Sequence, residues 1–246
     1  MNSPPPEDKP SFVEDFFPGY FALVMATGIV SLAMHCEDLP GLPEVLLWLN
    51  VIFYVTLWGI TILRIIRFRS GLIADLIHHA RGVTFLTAVA GTGVLGVQFA
   101  VLTPFMAIAA GLWVFAVLLW IILIYTFFAA VTVAEPKPSI EVAINGSWLL
   151  ATVATESLAV LGTLVAQTLG PTIPILFGAL CAYLLGAMFY ILFITLIFYR
   201  WIFLSLDPGT LTPPYWINMG APAITTLAGA RLILSSKSWE VLQDFQ

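Results

Sequence analysis

Apolar residues run along this chain in long blocks separated by short polar connections, and seven blocks are long enough to cross about 30 Å of hydrocarbon as helices. They are approximately Pro18 to Cys36, Glu44 to Ile66, Gly82 to Leu102, Pro104 to Val133, Ala143 to Ala166, Pro174 to Leu204 and Pro213 to Leu234. The fourth and sixth exceed the minimum and are expected to tilt or to extend past the headgroups. A second pattern alternates between blocks. The odd ones are slim, with MATGIVS (Met25 to Ser31), AVAGTGVLG (Ala88 to Gly96), ATVATES (Ala151 to Ser157) and MGAPAITTLAGA (Met219 to Ala230). The even ones are bulky, with LLWLNVIFYVTLW, LWVFAVLLWIILIYTFF and YILFITLIFYRWIF. The slim patches recur at intervals of 63, 63 and 66 residues, from Gly28 to Gly91 to Ala154 to Gly220. A recurrence of that kind marks one unit repeated, here a helical hairpin of about 65 residues with a slim helix followed by a bulky one.

Lipid tails are as apolar as Leu and Phe, so bulky helices are at ease against lipid, whereas Gly, Ala, Ser and Thr belong where helices approach closely or surround a narrow path. The expected fold is therefore an all-α membrane protein, with slim odd helices inside a ring of bulky even ones. Glycines and Pro222 loosen the slim helices, and carbonyls freed by a kink need protein or water as partner.

Composition agrees. Of 246 residues 60% are hydrophobic and only 9% charged, with a mean hydropathy of +1.00. That is too little charge to coat a soluble globule of this size. A net charge of -5 gives no basic footprint for nucleic acid. Cys36 and Cys181 lie in different apolar blocks without metal-ligand spacing, and are expected to be buried small residues rather than a disulfide or a metal site. No nucleophile-base, HExxH, Walker or dinucleotide fingerprint occurs, so no enzyme activity and no cofactor are expected. Residues 1–17, with PPPEDKP, lack the basic start and cleavage site of a secretory signal, and are expected to form a disordered cytoplasmic tail. The transmembrane domain is expected over 18–234 and a short C-terminal tail over 235–246. Lys9, Arg64, Arg67, Arg69, Arg81, Lys137 and Arg200 fall on one side if the N-terminus is cytoplasmic, leaving only Arg231 and Lys237 outside. The positive-inside tendency then puts the N-terminus in and the C-terminus out, in the cell (inner) membrane.

Candidate chemistry centres on Glu156, the one acid near the middle of an apolar block. A charged carboxylate there costs about 2.5 to 3.5 kcal/mol on insertion scales. Either it is protonated and hydrogen-bonded to groups such as Thr152 and Ser157, or it faces a polar path. The hydroxyls of Thr27, Ser31, Thr84, Thr87, Thr92, Thr152, Thr155, Thr225 and Thr226 can replace an anion's hydration shell or bond their own helix's carbonyls. His78, His79 and Arg81 precede the third block as a vestibule for anions or as a solvated, topology-setting loop. Trp48, Trp148, Trp201, Trp216 and Trp239 are expected as an interfacial belt.

At FPGYFALVMATGIVSLA (Phe17 to Ala33), TAVAGTGVLGVQF (Thr87 to Phe99), NGSWLLATVATESLAVLG (Asn145 to Gly162) and PPYWINMGAPAITTLAGA (Pro213 to Ala230) the chain resembles the tellurite-resistance/C4-dicarboxylate transporter family. That family is similar in turn to yeast malate permeases and plant slow-type anion channels. The resemblance implies five hairpins around a pore within each protomer of a trimer, closed by a phenylalanine on the ninth helix. The sequence ends at Gln246, after the seventh block. Three helices of that plan have no counterpart, so a truncated chain, or a second polypeptide supplying the rest, is expected. The function implied is transport of small inorganic or organic anions (C4-dicarboxylate, halide or oxyanion) past Thr27, Gly28, Thr92, Gly93, Thr155, Glu156, Gly220 and Pro222. Two alternatives stand beside it, a seven-helix sensor or receptor and a truncated, nonconducting membrane protein.

Overall fold

Residues 12–168, 172–205, 209 and 212–235 are described in a computed structural model of the chain. Expectations about 1–11 and 236–246, with Lys9, Lys237 and Trp239, lie outside the described residues. The described residues are mostly helical, without a strand: α1 (Ala22–Cys36), α2 (Leu42–Arg67), α3 (Arg69–Ile77), α4 (Leu86–Leu102), α5 (Met106–Val133), α6 (Ile140–Ala143), α7 (Leu150–Thr168), α8 (Thr172–Phe203) and α9 (Ile217–Ser235). Seven helices are long and apolar enough to cross a membrane, all but the short α3 and α6. Their bounds follow the apolar blocks within a few residues. The connection after α2 departs from the expected plain loop. It folds as the helix α3, which Asp75 ties back to Arg64 at 2.7 Å.

The repeat is visible in the backbone. Each slim helix is entered through a 3-10 turn, at Pro18–Phe21, Gly82–Phe85, Gly146–Leu149 and Pro213–Trp216. The bulky helices α2, α5 and α8 begin without one among the described residues. Glycine opens two of these turns because the chain passes too close for a side chain. A Cβ on Gly82 would run into the Leu76 carbonyl oxygen, and one on Gly146 into the backbone of Pro214 and Tyr215.

Packing follows bulk. α7 is almost wholly buried and α4 largely so, whereas α2, α5 and α8 keep most of their surface outward. α7 sits in the middle, touching α4, α5, α8 and α9, and α4 bridges α1 and α5 to it. The slim α4 and α7 are inside and the bulky helices outside, for the reason given by their side chains: small residues let backbones approach, and Leu and Phe face lipid without cost. α1 and α9 are slim yet mostly exposed, since each is flanked on only part of its circumference.

Hydrogen bonds repeat with the same period. Thr92 donates to the Ala88 carbonyl at 2.6 Å and accepts from Tyr54 of α2 at 2.9 Å. Sixty-three residues on, Thr155 donates to Ala151 at 2.7 Å and accepts from the Trp120 indole of α5 at 2.8 Å. Each pair seals the seam between one hairpin and the next. At the other end Arg64 of α2 donates to the carbonyls of Glu14 and Phe16 at 3.0 and 2.9 Å, and Arg200 of α8 donates to that of Ile144 at 2.9 Å and to the Tyr215 hydroxyl. Phe16 and Ile144 each stand two residues before the 3-10 turn of their own hairpin. These arginines are buried, and they fix where the slim helices start.

Two expectations are corrected. Cys36 and Cys181 are free but exposed, on outward faces where a small side chain needs no core. Trp148 is not a belt residue. It is 8% exposed, donates to the Ala143 carbonyl at 2.8 Å and packs edge-on to Phe127, because the Gly146–Leu149 turn directs it inward. Trp48 and Trp216 are exposed near helix ends, as a belt requires.

Candidate functional site

The four slim helices line a half-open cavity of about 400 Å³, with α1 and α9 on opposite sides of its open edge. α1 contributes Met25, Ile29 and Leu32, α4 Gly93, Val94 and Val97, α7 Leu150, Val153, Ser157 and Val160, and α9 Gly220, Ala223, Ile224 and Leu227. No bulky helix reaches its wall. The wall is almost entirely apolar, and its one hydroxyl, on Ser157, donates to the Ala154 carbonyl at 2.7 Å. A smaller cavity of about 120 Å³ lies beside Arg64, between the 3-10 turns and α2, α3 and α5, and is apolar apart from Thr61 and Arg64.

Of the residues singled out from the sequence, Gly93 and Gly220 stand in the wall of the larger cavity. Gly93 faces Ser157 so closely that a Cβ would lie 2.7 Å from its Oγ, whereas a Cβ on Gly220 would meet nothing within 4 Å. Thr92 and Thr155 lie behind the wall, in the seams toward α2 and α5. Gly28 is behind it too, against Val94, Gln98 and Asn50. Thr27 and Pro222 are half-buried on α1 and α9 and do not line the cavity. Pro222 has no N–H for the Asn218 carbonyl, and its own carbonyl accepts from Thr226 at 2.8 Å. Glu156 lies in the seam of α7 with α8, its carboxyl against Gly186.

Most of the candidate hydroxyls are already engaged as donors. Ser31, Thr84, Thr87, Thr92, Thr155, Thr225 and Thr226 all donate to backbone carbonyls at 2.6 to 3.1 Å. In a medium without water a hydroxyl takes the nearest acceptor, which in a helix is a carbonyl three or four residues back. Thr152 is buried without a partner.

Sequence reasoning passed over the side-chain amides. Asn50 and Gln98 are fully buried where α1, α2 and α4 meet, with Asn50 Nδ2 donating to the Val24 carbonyl at 3.0 Å and to Gln98 Oε1 at 2.6 Å. Their signal was available, a lone amide inside LLWLNVIF and another inside GVLGVQFA. His78 Nδ1 accepts from the backbone of Ala80 and Arg81, and Arg81 pairs with Asp75 at 3.2 Å. Burial, and then the neighbouring His78 and Lys137, lower the pKa of His79 below its ordinary value and favour its neutral form.

The described residues form a multi-pass helical bundle with a cavity between repeated hairpins, the fold of a membrane protein. Residues 15–241 match the voltage-dependent anion channel (SLAC1) family, and the chain belongs to that family. It is similar to two uncharacterized transporters of Methanocaldococcus jannaschii, at 24% identity over 247 residues (96% of this chain, 70% of the relative) and 25% over 251 residues (97% and 70%). A shorter likeness, 51% over 39 residues, links 16% of the chain to 20% of an uncharacterized membrane protein of Mycobacterium tuberculosis. The family is one of anion channels and transporters rather than enzymes.

Proposed function

We propose that the chain moves small anions across the cell membrane along a path through the cavity between its slim helices, with the N-terminus cytoplasmic. The single observation that carries this reading is the half-open cavity of about 400 Å³, whose wall is made by α1, α4, α7 and α9 without any bulky helix. Membership of an anion-channel family and likeness to two transporters support it. Halides, oxyanions and C4-dicarboxylates are the candidate substrates, and the wall ranks them. An apolar path with its hydroxyls spent on carbonyls returns little for a lost hydration shell, so conduction rests on wetting of the apolar cavity. Monovalent anions that hold water loosely should pass more readily than a dicarboxylate. By resemblance to the family we place the protomer in a homotrimer, which the mass of the detergent-solubilised particle tests.

Gly220→Phe provides the functional test. Since a Cβ there meets no atom within 4 Å and Gly220 stands in the cavity wall, the ring is expected to fill the cavity rather than to displace a helix. Proteoliposomes carrying the unaltered chain should pass chloride and nitrate faster than a dicarboxylate, and Gly220→Phe should return all three to the level of empty liposomes. Folded protein with no flux for any anion would sink the reading and favour a nonconducting or sensory role.

A further inference from the structure

Glu156 is fully buried, and neither carboxyl oxygen has a hydrogen-bond partner. It does not line the cavity. Its neighbours Val153, Ser157 and Val160 do, so Glu156 occupies the adjoining face of α7, turned toward α8. There Gly186 makes room for it. A Cβ on Gly186 would lie 2.6 Å from Oε1, 2.7 Å from Cδ and 2.9 Å from Cγ, so the carboxyl rests against the bare backbone of α8. Gly186 interrupts the otherwise bulky run YLLGAMFY, and the slot it leaves is shaped to the acid.

The surroundings hold no counter-charge. Among the described residues Glu156 makes no ion pair. On α8, Tyr183 and Tyr190 are within about a turn of Gly186, and Tyr183 packs against Gly229 of α9. Cys181 is exposed, Tyr199 lies beyond on the same helix, and Arg200, about 21 Å along α8 from Gly186, is held by Ile144 and Tyr215. α9 offers one cation, Arg231, about 9 Å beyond Thr225 along the axis. Thr225 itself gives its proton to the Ala221 carbonyl at 2.9 Å. α4 carries no titratable side chain, and Tyr125 of α5 is exposed.

We propose that Glu156 is a proton-binding site in the seam of α7 with α8 and α9, and that its protonation controls how tightly the α7 wall of the cavity packs. The neutral acid fits the slot. The carboxylate, facing backbone, apolar side chains and the Thr225 hydroxyl, whose proton is given to the Ala221 carbonyl, and with no cation beside it, loosens the seam, and the residues that move with it are those lining the cavity. The site differs from an acid in the path, where a charge acts on a passing anion directly. Its effect on flux rests on the reading given under Proposed function, but the binding of the proton does not.

The test therefore reads the seam rather than transport. Infrared spectra of the purified, reconstituted protein should show the carbonyl band of a buried protonated acid at acid pH, fading as pH rises and absent from Glu156→Gln. Unfolding temperature should fall toward alkaline pH in the unaltered protein by a few degrees, as about 1 kcal/mol would produce, and hold level over the same range in Glu156→Gln. Gly186→Ala should lower it where Glu156 is present and much less in a Glu156→Ala background. An infrared spectrum without that band, an unchanged pH response in Glu156→Gln, or an equal cost of Gly186→Ala in both backgrounds overturns the proposal. If Glu156→Gln does not fold, the band and its pH response in the unaltered protein still decide.

Discussion

α7 and α9 present small residues in two settings, and the settings differ in what a neighbour does there. Toward α5, α8 and the 3-10 turns, small residues are filled in by other groups: Trp120 bonds Thr155, Trp113 donates to the Leu158 carbonyl at 3.1 Å, and Gly186 receives the Glu156 carboxyl. Toward the cavity, Val153, Ser157 and Val160 border open space with Gly220 and Ala223 across it. Smallness in the first setting serves contact, and in the second it leaves room. The two uses look alike in a sequence, because Gly, Ala and Thr serve both.

One substitution, Gly→Ala, separates the settings when applied down the slim helices. The largest effect is expected at Gly146, where the new methyl meets the backbone of Pro214 and Tyr215, at 2.6 and 2.7 Å from their C and Cα atoms. Backbone has no rotamer to yield, so Gly146→Ala should cost about 3 kcal/mol, the upper end for overpacking. It should be read as a fall in unfolding temperature and in yield of folded protein. Gly93→Ala meets Ser157, its Oγ at 2.7 Å, its Cβ at 2.9 Å and its carbonyl oxygen at 3.4 Å. The Ser157 hydroxyl can rotate away although its Cβ cannot, which should hold the loss to about 2 kcal/mol. Ser157→Ala in the same chain should recover part of that loss by shortening the opposing side chain. A cost at Gly93 equal to that at Gly146 would mean that the cavity lends no slack to its wall.

How much of this was legible in advance depends on the residue. The seven spans, their hairpin repeat and the inward place of α4 and α7 followed from apolar block length and side-chain bulk, since both act locally and the membrane fixes the rest. The cavity walls contain Gly93 and Gly220 of the residues singled out. The direction of Thr92, Thr155 and Glu156 was not legible. Each lies less than one turn from a cavity residue, and an error of 100° in helix rotation exchanges seam for wall. What fixes the rotation is distant in sequence, namely Tyr54, Trp120 and Gly186 on bulky helices. Asn50 and Gln98 pair across 48 residues, and nothing local to either names its partner.

Thr155→Val tests the seam with a change of chemistry at nearly constant shape. It removes the acceptor for the Trp120 indole and leaves that N–H unpaired in the bundle. Hydrogen bonds between membrane helices average about 0.6 kcal/mol in measured cycles, and a stranded donor raises that, so a loss of about 1 kcal/mol is expected. Thr92→Val, which strands the Tyr54 hydroxyl at the equivalent place in the repeat, should lose a similar amount. Neither should alter relative anion fluxes, because neither side chain lines the cavity. A change in halide preference with Thr155→Val would break the distinction between seam and wall.

The smallest effect, and the one with the opposite sign, belongs to Gly220→Ala. The methyl meets no atom within 4 Å, so there is no clash to relieve. A glycine in a helix interior is roughly 0.5 to 1 kcal/mol less favourable than alanine, because it surrenders more conformational freedom on folding. Gly220→Ala should therefore leave the protein as stable as before or more so by up to about 1 kcal/mol, while narrowing the cavity by one methyl. Unfolding temperature measured beside that of Gly146→Ala gives the same chemical change with opposite outcomes at two glycines of one bundle. Stability lost at Gly220 would mean that another group occupies the space in front of it, and the wall would then belong to a contact rather than to a cavity.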